Sequence, residues 1–551
     1  MSAALGPLFV EPGFSCRAMW RGWPQSGARM TLTASPNAQA AVDDAAFDGL
    51  ARATREPWLT TTDHRRIGRA HLGFVGLFLL AGVATAELVR GELMSSTRVL
   101  FNDEPAWFSL SRFYSAHVSL MAALVLAPIW IALGTLAIPT QIGSARLAFP
   151  RLQVFVLWGY VLGGAGMIAS YLAVDGPPLI HVGSVSNDAA GLGNQATDLA
   201  LASQMLLTLV AVLAAANFVT TVLTLRRPGL RIDGVRPFTF SMFVTSGVLL
   251  LSGPVHMVGL AFTYLDTHFK GTLFTANGAD RIWVHTMWLF GRPEILLFAL
   301  PALGVASDII VNRIGKPLLG GAAAGYLMVA YAALTLTVWA TDQRLTSAAL
   351  LPGGRFTTAL TAIPAGLLVL IWLGSLATAG GVKPDAMLLA VLGVVVLFGF
   401  DLVNFVIAIF AKVQGGSAWI VASSHVAVFG APIVVAIAGV ALFAPLMFGR
   451  RLNQGLTGIA VLAFTGGVLL QGLANYILGY KDVQAIELDG LKSREGLHVL
   501  SGLGGILQLV GIVAIIANVA LSARRGALVD DDSLASTSLA STPLVSAGGA
   551  H

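Results

Sequence analysis

The stretch WLFGRPEILLFALPALG, Trp288 to Gly304, is apolar enough to lie in a membrane, yet it carries Arg292, Pro293 and Glu294 in succession. A charge at bilayer depth is costly, so an intramembrane Arg and Glu point to a functional site by default. The competing reading is a buried ion pair with a structural role only. Arg292 cannot take Glu294 as its partner, because residues two apart on a helix do not face each other. The stretch thus settles the class of fold, a helix inside a membrane, and leaves its chemistry to the rest of the chain.

The surroundings agree. Of 551 residues, 56% are hydrophobic and 11% charged, against about 25% charged in soluble domains. Mean hydropathy is +0.78. Apolar runs of roughly 20 residues, long enough to cross a bilayer as a helix, recur along the chain. They predict an all-α, polytopic membrane protein of twelve transmembrane helices, over 68–89, 113–138, 152–174, 198–225, 238–262, 285–311, 319–340, 357–377, 386–411, 418–448, 455–477 and 499–521. This membrane domain occupies 61–522. A polar segment, 1–60, precedes it and a low-complexity tail, 523–551, follows, and their composition predicts disorder in both. Residues 1–56 have no signal-peptide apolar core, Met19 and Met30 are alternative starts, and no internal repeat stands out.

Basic residues set the expected orientation. With a cytoplasmic N-terminus, one side collects Arg65, Arg66, Arg146, Arg151, Arg226, Arg227, Arg231, Arg236, Arg313, Lys316, Arg450, Arg451, Arg524 and Arg525. The loop after the third helix, on the other side, has no Lys or Arg. The positive-inside rule then places both termini in the cytoplasm of a bacterial inner membrane. The net charge of +5 reflects that rule and is no sign of nucleic-acid binding. The single Cys16 rules out intrachain disulfides and an all-protein cysteine metal site.

The ten histidines can be placed one by one. His64, His71, His181, His268 and His551 fall in loops or near cytoplasmic ends, and His498 at the outer start of the last helix. His117, His256, His285 and His425 lie within helices. His117 is about one turn into the second helix and His425 two turns into the tenth, both running inward. At ~1.5 Å per residue the two imidazoles sit at nearly one depth below the outer surface. Such a pair could ligate a haem iron from both faces. Two hydrogen-bonded core histidines are the other reading.

Local motifs carry a resemblance that bears on this choice. TDHRRIG (62–68), LVRGEL (88–93), YSAHVSLM (114–121), IPTQIGSARLAFPR (138–151), ANFVTTV (216–222), WLFGRPE (288–294), TAIPAG (361–366) and VASSHV (421–426) occur in the order of signatures of the haem-copper oxidase superfamily. Over about residues 60 to 520 the chain resembles cytochrome c oxidase subunit I. The resemblance implies the twelve-helix plan, His117 and His425 as ligands of the low-spin haem, and Arg90 near that haem. It makes His285 a structural residue.

The departures from the family pattern matter as much. Arg292 stands where a copper-ligating histidine belongs and Leu296 where its cross-linked tyrosine belongs. Thr341 and Asp342 replace a histidine pair, and Ser423 replaces the proximal ligand of the oxygen-binding haem. Arg146 and Leu368 take the places of a proton-path aspartate and lysine, while Glu294 survives. Copper needs soft or imidazole ligands, and Arg cannot coordinate because it stays protonated.

The expectation is therefore a degenerate subunit I with one low-spin haem, of type a or b, and no copper. It would work in membrane electron transfer with a subunit II-like protein and other oxidase subunits, fed by cytochrome c or a cupredoxin. Arg292 and Asp342 are expected to form an ion pair filling the vacated copper pocket, with Thr341 and Ser423 sharing its hydrogen bonds. Two alternatives stay open. One is the catalytic subunit of an aberrant respiratory oxidase, with His256, His285 and Asp342 in a relocated metal site. The other is a haem-free membrane transporter or scaffold.

Overall fold

A computed structural model describes residues 57, 60–95, 100–101, 109–173, 176–177, 194–269, 297–340, 354–411, 418–481, 483 and 494–529. Its helices are α1 (His64–Leu93), α2 (Leu110–Ile142), α3 (Pro150–Leu172), α4 (Gln195–Thr224), α5 (Pro237–His268), α6 (Ala299–Ile314), α7 (Gly321–Ala340), α8 (Gly354–Ala377), α9 (Ala386–Ala411), α10 (Ala418–Phe448), α11 (Gln454–Tyr480) and α12 (Glu495–Arg525). Among the described residues, 10 helices are long and apolar enough to cross a membrane. The described parts of α6 and α7 are too short to count by that measure. Nearly all of the expected terminal segment 1–60 and most of the tail lie outside the described residues.

Several helices extend beyond their apolar cores, and side-chain caps account for it. Asp63 accepts the Arg65 backbone N–H at 2.8 Å, so α1 starts at His64. Asn194 and Asn453 cap α4 and α11 in the same way. These side chains satisfy donors that the first turn leaves free, and they let polar turns stand outside the bilayer core. At the far end α12 runs to Arg525, and Leu528 then pairs with Arg450 in an isolated antiparallel bridge.

Two helices stand at the centre. The most apolar window of α2 is 89% buried and that of α10 78%, against 39–56% for the other spanning helices. Both also break their α-helical winding with a seven-residue π turn, Leu120–Leu126 in α2 and Ser424–Gly430 in α10. A π turn adds a residue to the helical circuit and re-aims the side chains around it, which is why such turns mark functional positions. Gly430 closes the second one, where an added Cβ would run into the His425 carbonyl oxygen.

The α11–α12 pair is packed backbone to backbone. An added Cβ at Gly504 would lie 2.6 Å from Gln471 N and 2.7 Å from Gly467 O, and one at Gly511 2.8 Å from Ala460 O. In lipid there is no hydrophobic drive between apolar helices, so small residues that permit close approach carry the association. Here they also allow Gln508 to donate to Gln471 at 2.5 Å. That contact fixes the wall on which Gln471, Asn475, His498 and Ser501 sit.

Candidate haem site

His117 lies seven residues after the start of α2, and His425 seven after the start of α10. That puts each ring ~10 Å along its helix. The sequence placed His117 a turn shallower, because the apolar run begins three residues after the helix does. The π turns come next: one opens three residues beyond His117, and the other contains His425.

The two rings are nearly parallel, 7° between planes, with centroids 5.9 Å apart. Each Nδ1 already has a partner: His117 Nδ1 donates to the Gly82 carbonyl of α1 at 2.8 Å, and His425 Nδ1 donates to the Val421 carbonyl at 2.8 Å. A proton on Nδ1 leaves Nε2 with its lone pair, the arrangement that prepares an imidazole to bind a metal. The α1–α2 approach that brings His117 to its carbonyl needs Gly82, where a Cβ would lie 2.8 Å from the Met121 sulfur.

Both rings wall one shared cavity. Its other walls come from Ala86, Val89 and Arg90 of α1, Tyr114 of α2, Ala418 and Val421 of α10, and the α11–α12 face. Arg90 is paired with Glu87 one turn earlier. Gly505 of α12 lies directly over that pair, a Cβ there standing 2.8 Å from the Glu87 carboxyl carbon. Apolar walls, two facing imidazoles with free Nε2 atoms and one guanidinium fit a haem held by His117 and His425, with Arg90 at its side.

Ser423 is tied to two neighbouring helices. Its hydroxyl hydrogen-bonds to Asp401 of α9 and to Tyr476 of α11, and Tyr476 donates to Asp401. This cluster ties α9, α10 and α11 together beside the π turn. Arg292, Leu296, Thr341, Asp342, Glu294 and His285 lie outside the described residues. His256 is buried in α5. Leu368 is 1% exposed inside α8, and Arg146 is exposed in the loop after α2.

Two features were not foreseen. His71, expected near a helix end, is wholly buried within α1 and stacks on Tyr160 with centroids 4.6 Å apart. A buried ion pair joins Arg236, before α5, to Asp308 of α6 at 3.3 Å. Gln141 of α2 donates to the same carboxylate at 2.6 Å, and Thr239 donates to Gln141 at 2.6 Å. The one visible signal for the pair was an aspartate inside an apolar helix.

A helical membrane bundle whose two central members turn imidazoles into a shared cavity defines the class of protein. Residues 66–507 match the family model of cytochrome c and quinol oxidase polypeptide I, and the chain belongs to that family, within the haem-copper oxidases. It is 30% identical over 489 residues to a "Probable cytochrome c oxidase subunit 1-beta" of Nocardia farcinica, covering 86% of this chain and 81% of that one. A "Probable cytochrome c oxidase subunit 1-alpha" of Streptomyces coelicolor is 28% identical over 525 residues, covering 91% and 89%. The fold is similar to that of a haem-copper terminal oxidase dimer solved by cryo-EM, with a TM-score of 0.68, 15% identity and 86% of each chain covered.

Proposed function

We propose that this subunit I homologue keeps the bis-histidine low-spin haem of its family, on His117 and His425, and has lost the oxygen-reducing centre. The observation that carries the first half is the pair of Nδ1 hydrogen bonds, which leaves both Nε2 atoms free on rings 5.9 Å apart. The second half rests on the sequence, with Arg292, Thr341, Asp342 and Ser423 at ligand positions and Leu296 in place of the tyrosine. An iron with two imidazoles has no open position and exchanges single electrons. The chain's own residues hold the imidazoles in one tautomer, wall off water with apolar helices, and keep the Arg90 charge beside the cavity. The protein then passes electrons within a membrane complex that includes a subunit II-like partner, taking them from cytochrome c or a cupredoxin. Both termini face the cytoplasm of a bacterial inner membrane.

The test is stoichiometry. Purified protein is expected to give one haem per chain by pyridine haemochrome, low-spin in both oxidation states, with no carbon monoxide adduct and no stoichiometric copper. Two haems, or bound copper, would overturn the proposal. They would favour oxygen reduction, the activity suggested by the names of the relatives.

Within the same proposal Arg292 and Asp342 pair in the vacated copper pocket. Each of Arg292→Leu and Asp342→Leu is expected to destabilise the protein, and the double change to cost much less than their sum. Additive losses in that cycle would refute the pair.

A further inference from the structure

The haem cavity has a third histidine on its wall. His498 stands in the first turn of α12, which begins at Glu495, and it is 6% exposed. Its Nε2 is buried with no hydrogen-bond partner among the described residues, and its ring lines the same cavity as His117, His425 and Arg90. Neighbouring polar groups on that wall are engaged, Arg90 with Glu87 and Gln471 with Gln508. A buried polar atom is ordinarily satisfied, and an exception beside a cofactor cavity points to a group that the cofactor brings.

The surroundings say what kind of group. The opening turn of a helix presents unpaired N–H groups and the positive end of the helix dipole, both favourable to an anion. Arg494, at the N-cap of α12, adds its charge close to His498. A haem carries two carboxylates on one edge of its ring. A neutral imidazole bearing its proton on Nε2 is a hydrogen-bond donor of the right kind for one of them.

We propose that His498 donates a hydrogen bond from Nε2 to a haem carboxylate, orienting the ring in the cavity and raising its reduction potential. This rests on the reading that a haem sits between His117 and His425. The direction follows from charge: a donor spreads the carboxylate's negative charge, and without it more of that charge acts on the iron and favours the ferric state. His498 is not one of the two proposed ligands, so it acts as a positioning residue.

The experiment is a potentiometric titration of the purified holoprotein, with haem content measured first. In His498→Ala the ratio of ferric to ferrous haem at a fixed potential is expected to rise about tenfold, which is about 59 mV for a one-electron couple. His498→Gln, which keeps an N–H donor, should recover most of that shift. Loss of haem in the Ala variant with retention in the Gln variant supports the same assignment. A wild-type potential and full haem content in His498→Ala overturn it. So does equal damage in both variants, which would make the residue a packing element. A wild-type protein that contains no haem at all is a distinct result, and it removes the haem reading itself.

Discussion

Alanine at His117 or at His425 is expected to remove the low-spin haem spectrum altogether, while alanine at His71 or His256 leaves it in place. The difference lies in where the rings stand. His117 and His425 share one cavity and have parallel planes with Nδ1 held by a carbonyl on each side. His71 stacks on Tyr160 in another cavity, and His256 lies on α5, away from the cavity walls. Even the outer hydrogen-bond partners of metal ligands cost roughly 10–100-fold in affinity when lost, so loss of a ligand itself should be larger. Truncation at 117 also frees the Gly82 carbonyl of its imidazole donor, although Thr85 still donates to it at 2.8 Å. Absorbance of the purified variants, with circular dichroism to show that the helices persist, reads the result. A low-spin spectrum in His117→Ala would mean that another residue is the ligand.

What the sequence disclosed and what it hid divide along physical lines. Spanning helices are long apolar runs, so their existence and order could be read directly, and the depth match of His117 and His425 followed from counting along them. Their true ends could not, because Asp63, Asn194 and Asn453 cap turns that are themselves polar. The π turns left no mark either. LMAALVL and SHVAVFG have ordinary helical composition, and only the collision that a Cβ at Gly430 would cause hints at the second.

The polar clusters were harder still, since their members come from distant parts of the chain. Ser423 could be seen as a lost ligand, but its partners Asp401 and Tyr476 lie on α9 and α11. His498 looked like a residue at a helix end, and only the packing of α11 on α12 turns it towards the cavity. Arg236 was counted with the cytoplasmic basic residues. In the fold its side chain is 2% exposed.

Removing one side of the Arg236–Asp308 pair is expected to cost on the order of 3–5 kcal/mol. Both side chains are out of water, 2% and 0% exposed, and their facing atoms, Arg236 Nε and Asp308 Oδ1, stand 3.3 Å apart at ion-pair distance without hydrogen-bond geometry. Arg236→Leu would leave the carboxylate buried with Gln141 as its side-chain donor at 2.6 Å, itself held by Thr239. Asp308→Leu would leave the guanidinium without its counter-charge and Gln141 without its acceptor. Either single change therefore strands a charge where three helices meet, α2, α5 and α6. The double change Arg236→Leu with Asp308→Leu strands none, and well-packed apolar groups often replace a buried pair at little or no loss. Its cost should fall well below the sum of the two, with Gln141 as the remaining unsatisfied group. Thermal unfolding of the four proteins in one detergent, followed by the haem spectrum and by circular dichroism, measures the cycle. Contacting residues in such cycles couple by about 0.5–3 kcal/mol; single and double losses that simply add would show that the two charges act separately, each satisfied by the backbone and amides around it.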